Sequence, residues 1–140
     1  MLKHSTEIRI RYADTDQMKF AYNGKYLEYF EVGRTEMMRD AGLPYKLIES
    51  YGYLMPVREA FVRYKNPAFY DEVLVIETIV KKLPEIKVHI DHVIKSKERD
   101  VVVAEGYIDL VFVNQKTNKV VRAPEFFLKA IKSKFENAAS

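Results

Sequence analysis

Apolar and polar positions along this chain change period twice, and each change marks a new kind of element. Residues Thr6 to Tyr12 alternate, with Ile8 and Ile10 on one face, the period-two pattern of a strand covered on one side. The polar run Asp14-Thr15-Asp16-Gln17 ends it. From Asn23 to about Asp40 the period lengthens. Tyr26, Phe30, Met37 and Ala41 fall on one stripe with Leu27 and Met38 beside it, which predicts one long amphipathic helix. Asn23 is placed to cap its start, and Gly42 followed by Pro44 to stop it. Gly33 falls in the middle, where glycine costs about 1 kcal/mol relative to alanine. A glycine there is expected where another backbone passes close, as in a sheet wrapped around the helix.

After a short helical turn over Tyr45 to Glu49 the period returns to two. Leu54 to Lys65 alternates until Asn66-Pro67 breaks it, and Glu72 to Val80 is β-branched and apolar. Leu83-Pro84-Glu85 reads as a hairpin connection to Ile86, Val88, Ile90 and Ile94. Ser96 to Asp100 is a charged turn, and Val101 to Val113 is the longest strand. Gln115 to Lys119 turns again, Val120-Val121 is a short last strand, and Pro124 at a helix N1 position opens a terminal helix through Ile131. One strand, one long helix and then a meander of about four or five strands predict an α+β fold, about five or six antiparallel strands in all, with the helix packed on one face of the sheet. A strand as long as the one from Val101 is seldom left at an open edge, so pairing with a second copy is expected.

Composition narrows the classes. At 140 residues, with few and scattered glycines and prolines and no internal repeat, the chain reads as one domain over residues 1–140. It has no cysteine, which removes disulfides, thiolate nucleophiles and cysteine-ligated zinc, and suits a reducing, cytoplasmic compartment. Charges run throughout the first thirty residues, and no apolar run approaches the roughly 18 residues of a membrane span. A soluble, untargeted protein is expected. A net charge of +3 is too small an excess to imply a nucleic-acid surface.

The densest chemistry is Arg11-Tyr12-Ala13-Asp14-Thr15-Asp16, then Asn23-Gly24-Lys25-Tyr26-Leu27-Glu28-Tyr29-Phe30-Glu31, then Arg34-Thr35-Glu36. It sets two carboxylates directly ahead of the long helix, whose unpaired amides favour negative charge, including the oxyanion of an acyl transfer. Either aspartate could equally serve as a turn cap.

These motifs resemble the signature of the 4-hydroxybenzoyl-CoA thioesterase family, including the Tol-Pal-associated acyl-CoA thioesterases. The resemblance extends to Tyr64-Lys65-Asn66-Pro67 and Tyr70-Asp71-Glu72 and covers nearly the whole chain. It implies a hotdog fold, assembly as dimers and usually tetramers, and sites at the subunit interface. It further implies hydrolysis of an acyl-CoA, or acyl-carrier-protein, thioester to the free acid. The family's catalytic aspartate falls on Asp16, as nucleophile or general base, with Tyr22, Asn23, Gly24 and Tyr26 as substrate-binding positions at the helix start. Val57 and Arg58 fall where a partner subunit lines the pocket. The chain departs from the pattern at Met18 and Lys19, where many relatives have two glycines, and at Asn23, where many have a histidine after the tyrosine.

No cofactor is implied. In His89-Ile90-Asp91-His92 the first histidine and Asp91 share a strand face while His92 points to the other, so no metal site is expected. Glu31 and Arg34 are spaced to pair on the helix. Lys81, Lys82, Lys95, Lys97 and Arg99 gather near turns, where they protect edges or meet CoA phosphates. Two other readings keep the fold: a module that binds acyl-CoA or acyl-carrier-protein thioesters without hydrolysis, and a dehydratase, which would need a histidine brought to a carboxylate across the interface.

Overall fold

Alternation becomes sheet because the inward strand residues are covered by helix, most of them by the long one and one end by the terminal one. The computed structural model describes residues 1–139. In chain order they form β1 (Leu2–Arg9), a 3-10 turn (Tyr12–Asp14), α1 (Lys25–Asp40), α2 (Tyr45–Ser50), β2 (Tyr53–Leu54), β3 (Val57–Tyr64), β4 (Val73–Val80), β5 (Lys87–Ser96), β6 (Val102–Asn114), β7 (Lys119–Val121) and α3 (Glu125–Ala139). The strands make one antiparallel sheet in the order β1-β4-β5-β6, with β3, β2 and β7 all paired to the long β6. Leu74, Ile76, Val80, Val88, Ile90, Ile94, Ile108, Leu110 and Phe112 are buried, and Tyr26, Tyr29, Phe30, Met37 and Met38 of α1 are buried with them. Phe127 of α3 closes one end of this core, its ring 4.8 Å from that of Phe112.

Gly33 does lie against the sheet, but what meets it is side chains and not the passing backbone that its position suggested. A Cβ there would lie 2.6 Å from Thr78 Oγ1 and 2.7 Å from Ile76 Cγ2, so α1 rests directly on β4. Beneath this contact His92 is fully buried, stacked on Phe30 at 4.5 Å, with Nδ1 3.2 Å from Thr78 Oγ1. Burial, helped by the charge of Arg34, pushes the His92 pKa down to about 3, so the ring is neutral in the fold.

Several sequence expectations are corrected. The described residues form seven strands, because the run from Leu54 to Lys65 is two: Pro56 has no N–H to give the ladder, and it separates β2 from β3. β1 starts at Leu2, whose apolar side chain is buried although Lys3 and His4 blur the alternation, and it stops at Arg9. Leu27 is exposed, and Tyr29 takes the buried position instead. The N-cap of α1 is Gly24 without any side-chain cap, since a turn from Tyr22 to Lys25 (2.9 Å) leads into the helix ahead of Asn23's expected role. The long strand β6 is interior, flanked by β5 and β3, so the open edges belong to β1 and β3. α3 begins one residue after Pro124, whose carbonyl accepts the Phe127 and Leu128 amides, and it runs on beyond Ile131.

Gly33→Ala is expected to lower the unfolding free energy by about 2 kcal/mol in urea titration, because the added methyl must displace β4 side chains; a variant as stable as wild type would contradict the contact. His92 makes stability pH-dependent. The unfolded imidazole takes up a proton below its ordinary 6.5 and the folded one does not, so stability is full above that pH and declines as pH falls towards 3. Between pH 7 and pH 5 the loss should be about 2 kcal/mol, and much less in His92→Phe, as read from denaturation midpoints at each pH.

Candidate active site

Two segments, residues 10–21 and 66–72, meet at the N-terminus of α1 and build a cleft. The first leaves β1 and is laced to the second by backbone bonds: the Ile10 amide donates to the Glu72 carbonyl (2.9 Å), Asp71 to Ile10 (2.9 Å) and Ala21 to Ala68 (2.8 Å). Phe20 bridges to Phe69, and their rings meet edge-on at 5.3 Å. The second segment is pinned by Glu72. This buried carboxylate accepts bonds from Arg99 (2.7 and 2.9 Å), the Ser96 hydroxyl (2.6 Å) and the Phe69 amide (3.1 Å).

The two loop aspartates have different environments. Asp14 is buried; its Oδ2 accepts the Arg11 amide (3.0 Å) and the Tyr29 hydroxyl (3.3 Å), and its Oδ1 accepts Arg11 Nη2 (3.0 Å). Lys25 Nζ stands 3.7 Å away. Burial pushes the Asp14 pKa up, but the bonds from Arg11 and Tyr29 outweigh it and hold the carboxyl below the usual range. Asp14 is the turn cap.

Asp16 is half-buried and only half engaged. Oδ1 accepts the amides of Met18 (2.9 Å) and Phe20 (3.3 Å), while no hydrogen bond among the described residues engages Oδ2. The Asp16 amide donates to the Phe20 carbonyl (2.9 Å), closing a loop that turns through Lys19 at φ +68°. The other non-glycine residues at positive φ, Asp71, Asp100 and Asn118, are of the types that tolerate it, whereas lysine is held there at a cost of about 1 kcal/mol.

Asp16 opens onto a cleft of about 320 Å³ lined by Met18, Phe20, Ala21, Asn23 and Tyr26 on one side and by Tyr64, Lys65, Asn66 and Pro67 on the other. The Tyr64 hydroxyl donates to the Asn23 carbonyl (3.0 Å), and its ring stands edge-on to Tyr26 at 5.3 Å. The Lys25 and Tyr26 amides bond back to Tyr22 and Asn23, which leaves the Asn23 and Gly24 amides without an acceptor among the described residues. A free carboxylate oxygen therefore stands beside the positive end of a sixteen-residue helix. That pairing suits addition to a carbonyl, with the amides receiving the developing oxyanion.

Of the residues singled out by sequence, Asp16, Asn23 and Tyr26 line this cleft. Gly24 and Tyr22 lie next to it; the Tyr22 ring packs over Gly24, where a Cβ would come within 2.8 Å. Val57 and Arg58 are at the opposite end of β3 from Tyr64 and do not reach the cleft within one protomer. Tyr64, Lys65, Asn66 and Pro67 form a wall that periodicity did not reveal, since the Asn-Pro pair announces only the end of a strand. Most of the basic residues named near turns are matched to acids: Lys81 to Asp91 (3.5 Å), Lys95 to Glu77 (3.2 Å), Lys97 to Glu7 (2.9 Å) and Arg99 to Glu72. Among the described residues Glu31 and Arg34 close no ion pair with each other; with Thr35, Met38, Tyr45, Met55 and Leu110 they line a second cavity of about 410 Å³. His89 and Asp91 meet at 3.2 Å on the sheet's other face, away from buried His92.

Comparison with known proteins agrees with this architecture. The chain matches the thioesterase-like superfamily over residues 10–131. It is 43% identical over 75 residues to a putative acyl-CoA thioesterase, YneP, of Bacillus subtilis, an alignment that covers 54% of each chain, so it spans about half the length of that relative. A putative esterase of Aquifex aeolicus is 27% identical over 124 residues, 89% of this chain and 94% of the relative. Among solved structures, a DHNA-CoA thioesterase from Staphylococcus aureus superposes with a TM-score of 0.87 at 29% identity, covering 99% of this chain and 92% of that one.

Asp14→Ala is expected to cost about 2 kcal/mol of unfolding free energy at pH 7, because the Arg11 amide and the Tyr29 hydroxyl lose their acceptor. A urea midpoint equal to wild type would show that Asp14 does not hold the loop.

Proposed function

The chain belongs to the thioesterase-like superfamily, and on that premise we propose that it hydrolyses an acyl-CoA thioester to the free carboxylic acid and CoA, with Asp16 as the catalytic carboxylate. The observation that supports this reading is Asp16, with one carboxylate oxygen free, lining the same cleft as Asn23, at the helix start where the Asn23 and Gly24 amides have no acceptor among the described residues. The thioester carbonyl lies with its oxygen towards those amides. In one path a water oxygen adds to the carbonyl carbon as its proton passes to Asp16. Collapse of the tetrahedral intermediate breaks the C–S bond, and the departing thiolate recovers the proton. In the other, Oδ2 itself bonds to the carbonyl carbon, CoA leaves, and water hydrolyses the resulting anhydride. Thiolate is a good leaving group, so this chain's own residues suffice for either path.

The working unit is a homo-oligomer. The outer edge of β3 is unpaired among the described residues and carries exposed Val57, Phe61 and Tyr64. Antiparallel pairing of two β3 strands about a twofold axis brings the Val57 and Arg58 end of one subunit beside the Tyr64 end of the other. This completes the cleft with the two residues that a single protomer leaves remote, and pairing of such dimers gives the tetramer. The reducing cytoplasm is the compartment that we assign to it.

Release of free thiol from short, long and aromatic acyl-CoA substrates tests the reaction. Asp16→Asn, still folded by its circular dichroism, should lose at least about a hundredfold in kcat. Tight acyl-CoA binding without thiol release would instead identify a binding module of the same fold.

A further inference from the structure

We propose that Lys19 recognises phosphate on the carrier of the thioester, a role that rests on the thioester-hydrolysis reading of the Asp16 cleft. Three observations converge on it. The loop from Asp16 to Phe20 closes on Asp16's own carboxylate and needs a left-handed residue at position 19, a place glycine fills without strain and lysine does not. Strain of this kind at a functional loop points to something the side chain does. Lys19 is also exposed, and no carboxylate among the described residues lies within 4.0 Å of its ammonium. The neighbouring cations are matched: Arg11 by Asp14 (3.0 Å), Lys25 by Glu28 (3.1 Å) and Lys65 by Glu105 (3.2 Å). Finally, Lys19 sits between Met18 and Phe20, which line the cleft together with Asp16.

With the acyl carbon held at Asp16, the sulfur side of the substrate leaves through the open mouth. A flexible, strongly hydrated ammonium on the loop that borders the cleft suits a phosphate ester passing through solvent. Two carriers bring such a group: CoA, through its nucleotide and its pantetheine phosphate, and the phosphopantetheine arm of a carrier protein.

Lys19→Gly tests this without disturbing the loop, since glycine adopts the left-handed conformation already present without strain; its melting temperature should not fall below wild type. For acyl-CoA, kcat/KM should fall at least about fivefold, through KM with kcat unchanged, and Lys19→Arg should restore it. Acyl-pantetheine, which has no phosphate, should be turned over equally by wild type and Lys19→Gly. A loss shared by acyl-4′-phosphopantetheine assigns the contact to the arm phosphate common to both carriers, whereas a loss confined to acyl-CoA assigns it to the nucleotide phosphates. An equal loss on acyl-pantetheine, or no loss on any substrate, overturns the proposal. If wild type hydrolyses no thioester, the reaction assigned above fails on its own. Calorimetric titration with CoA then decides the role of Lys19: fivefold weaker binding to Lys19→Gly upholds it, and equal binding ends it.

Discussion

The geometry of the cleft depends on a carboxylate buried at the entrance to β4. Burial by itself would push the Glu72 pKa up, yet Arg99, Ser96 and the Phe69 amide together outweigh it and hold the group ionised below its usual range. Arg99 does more than neutralise it. The same guanidinium donates to the Pro67 carbonyl (2.8 Å) and lies over the Phe69 ring at 4.9 Å, so one side chain sets three points of the 66–72 segment. Segment 10–21 is laid on that platform through Ile10, Phe20 and Ala21. Both walls of the cleft thus derive their position from a single ion pair rooted in the β4 and β5 ends of the sheet.

Against this frame the two loop aspartates divide the work. Asp14 spends both oxygens on Arg11 and Tyr29 and joins the loop to α1. Asp16 spends one oxygen on the loop's own amides and keeps the other. The half-engaged state matters chemically, because a carboxylate oriented through one oxygen is positioned without being neutralised. The helix it faces is set just as firmly, since Gly33 allows α1 to rest on Thr78 and Ile76, and Tyr64 ties the Asn23 carbonyl from the strand opposite.

Two departures from the family pattern become intelligible in these terms. Asn23 contributes to the helix start through its backbone, in a turn closed from Tyr22 to Lys25, so the chemistry of its side chain is not what defines the α1 N-terminus. Lys19 occupies a conformation that glycine would adopt freely, and the loop bonds to Asp16 offset the strain. In the dimer proposed above, the edge of β3, with Val57 and Arg58 at the end away from Tyr64, is where a second copy would bring a further wall to the cleft.

Local pattern was enough for α1, the strands β4 to β6 and the position of Asp16 ahead of a helix, because these follow from period, propensity and chain order, each readable within a few residues. The run from Leu54 to Lys65 was read as one strand although Pro56 divides it, and β6 was taken for an edge because strand length says nothing about which neighbours a strand will find. The choice between Asp14 and Asp16 as cap and reactive group came from the sequence only through resemblance to known relatives. Their different environments come from Arg11, Tyr29 and the close of the Met18–Phe20 loop, contacts that exist only after folding. The opposite wall, Tyr64 to Pro67, lies more than forty residues away from Asp16 along the chain. No periodicity encodes that approach. It is decided by sheet register and by the Glu72–Arg99 pair, that is, by which distant groups can satisfy one another's charge once the core has closed.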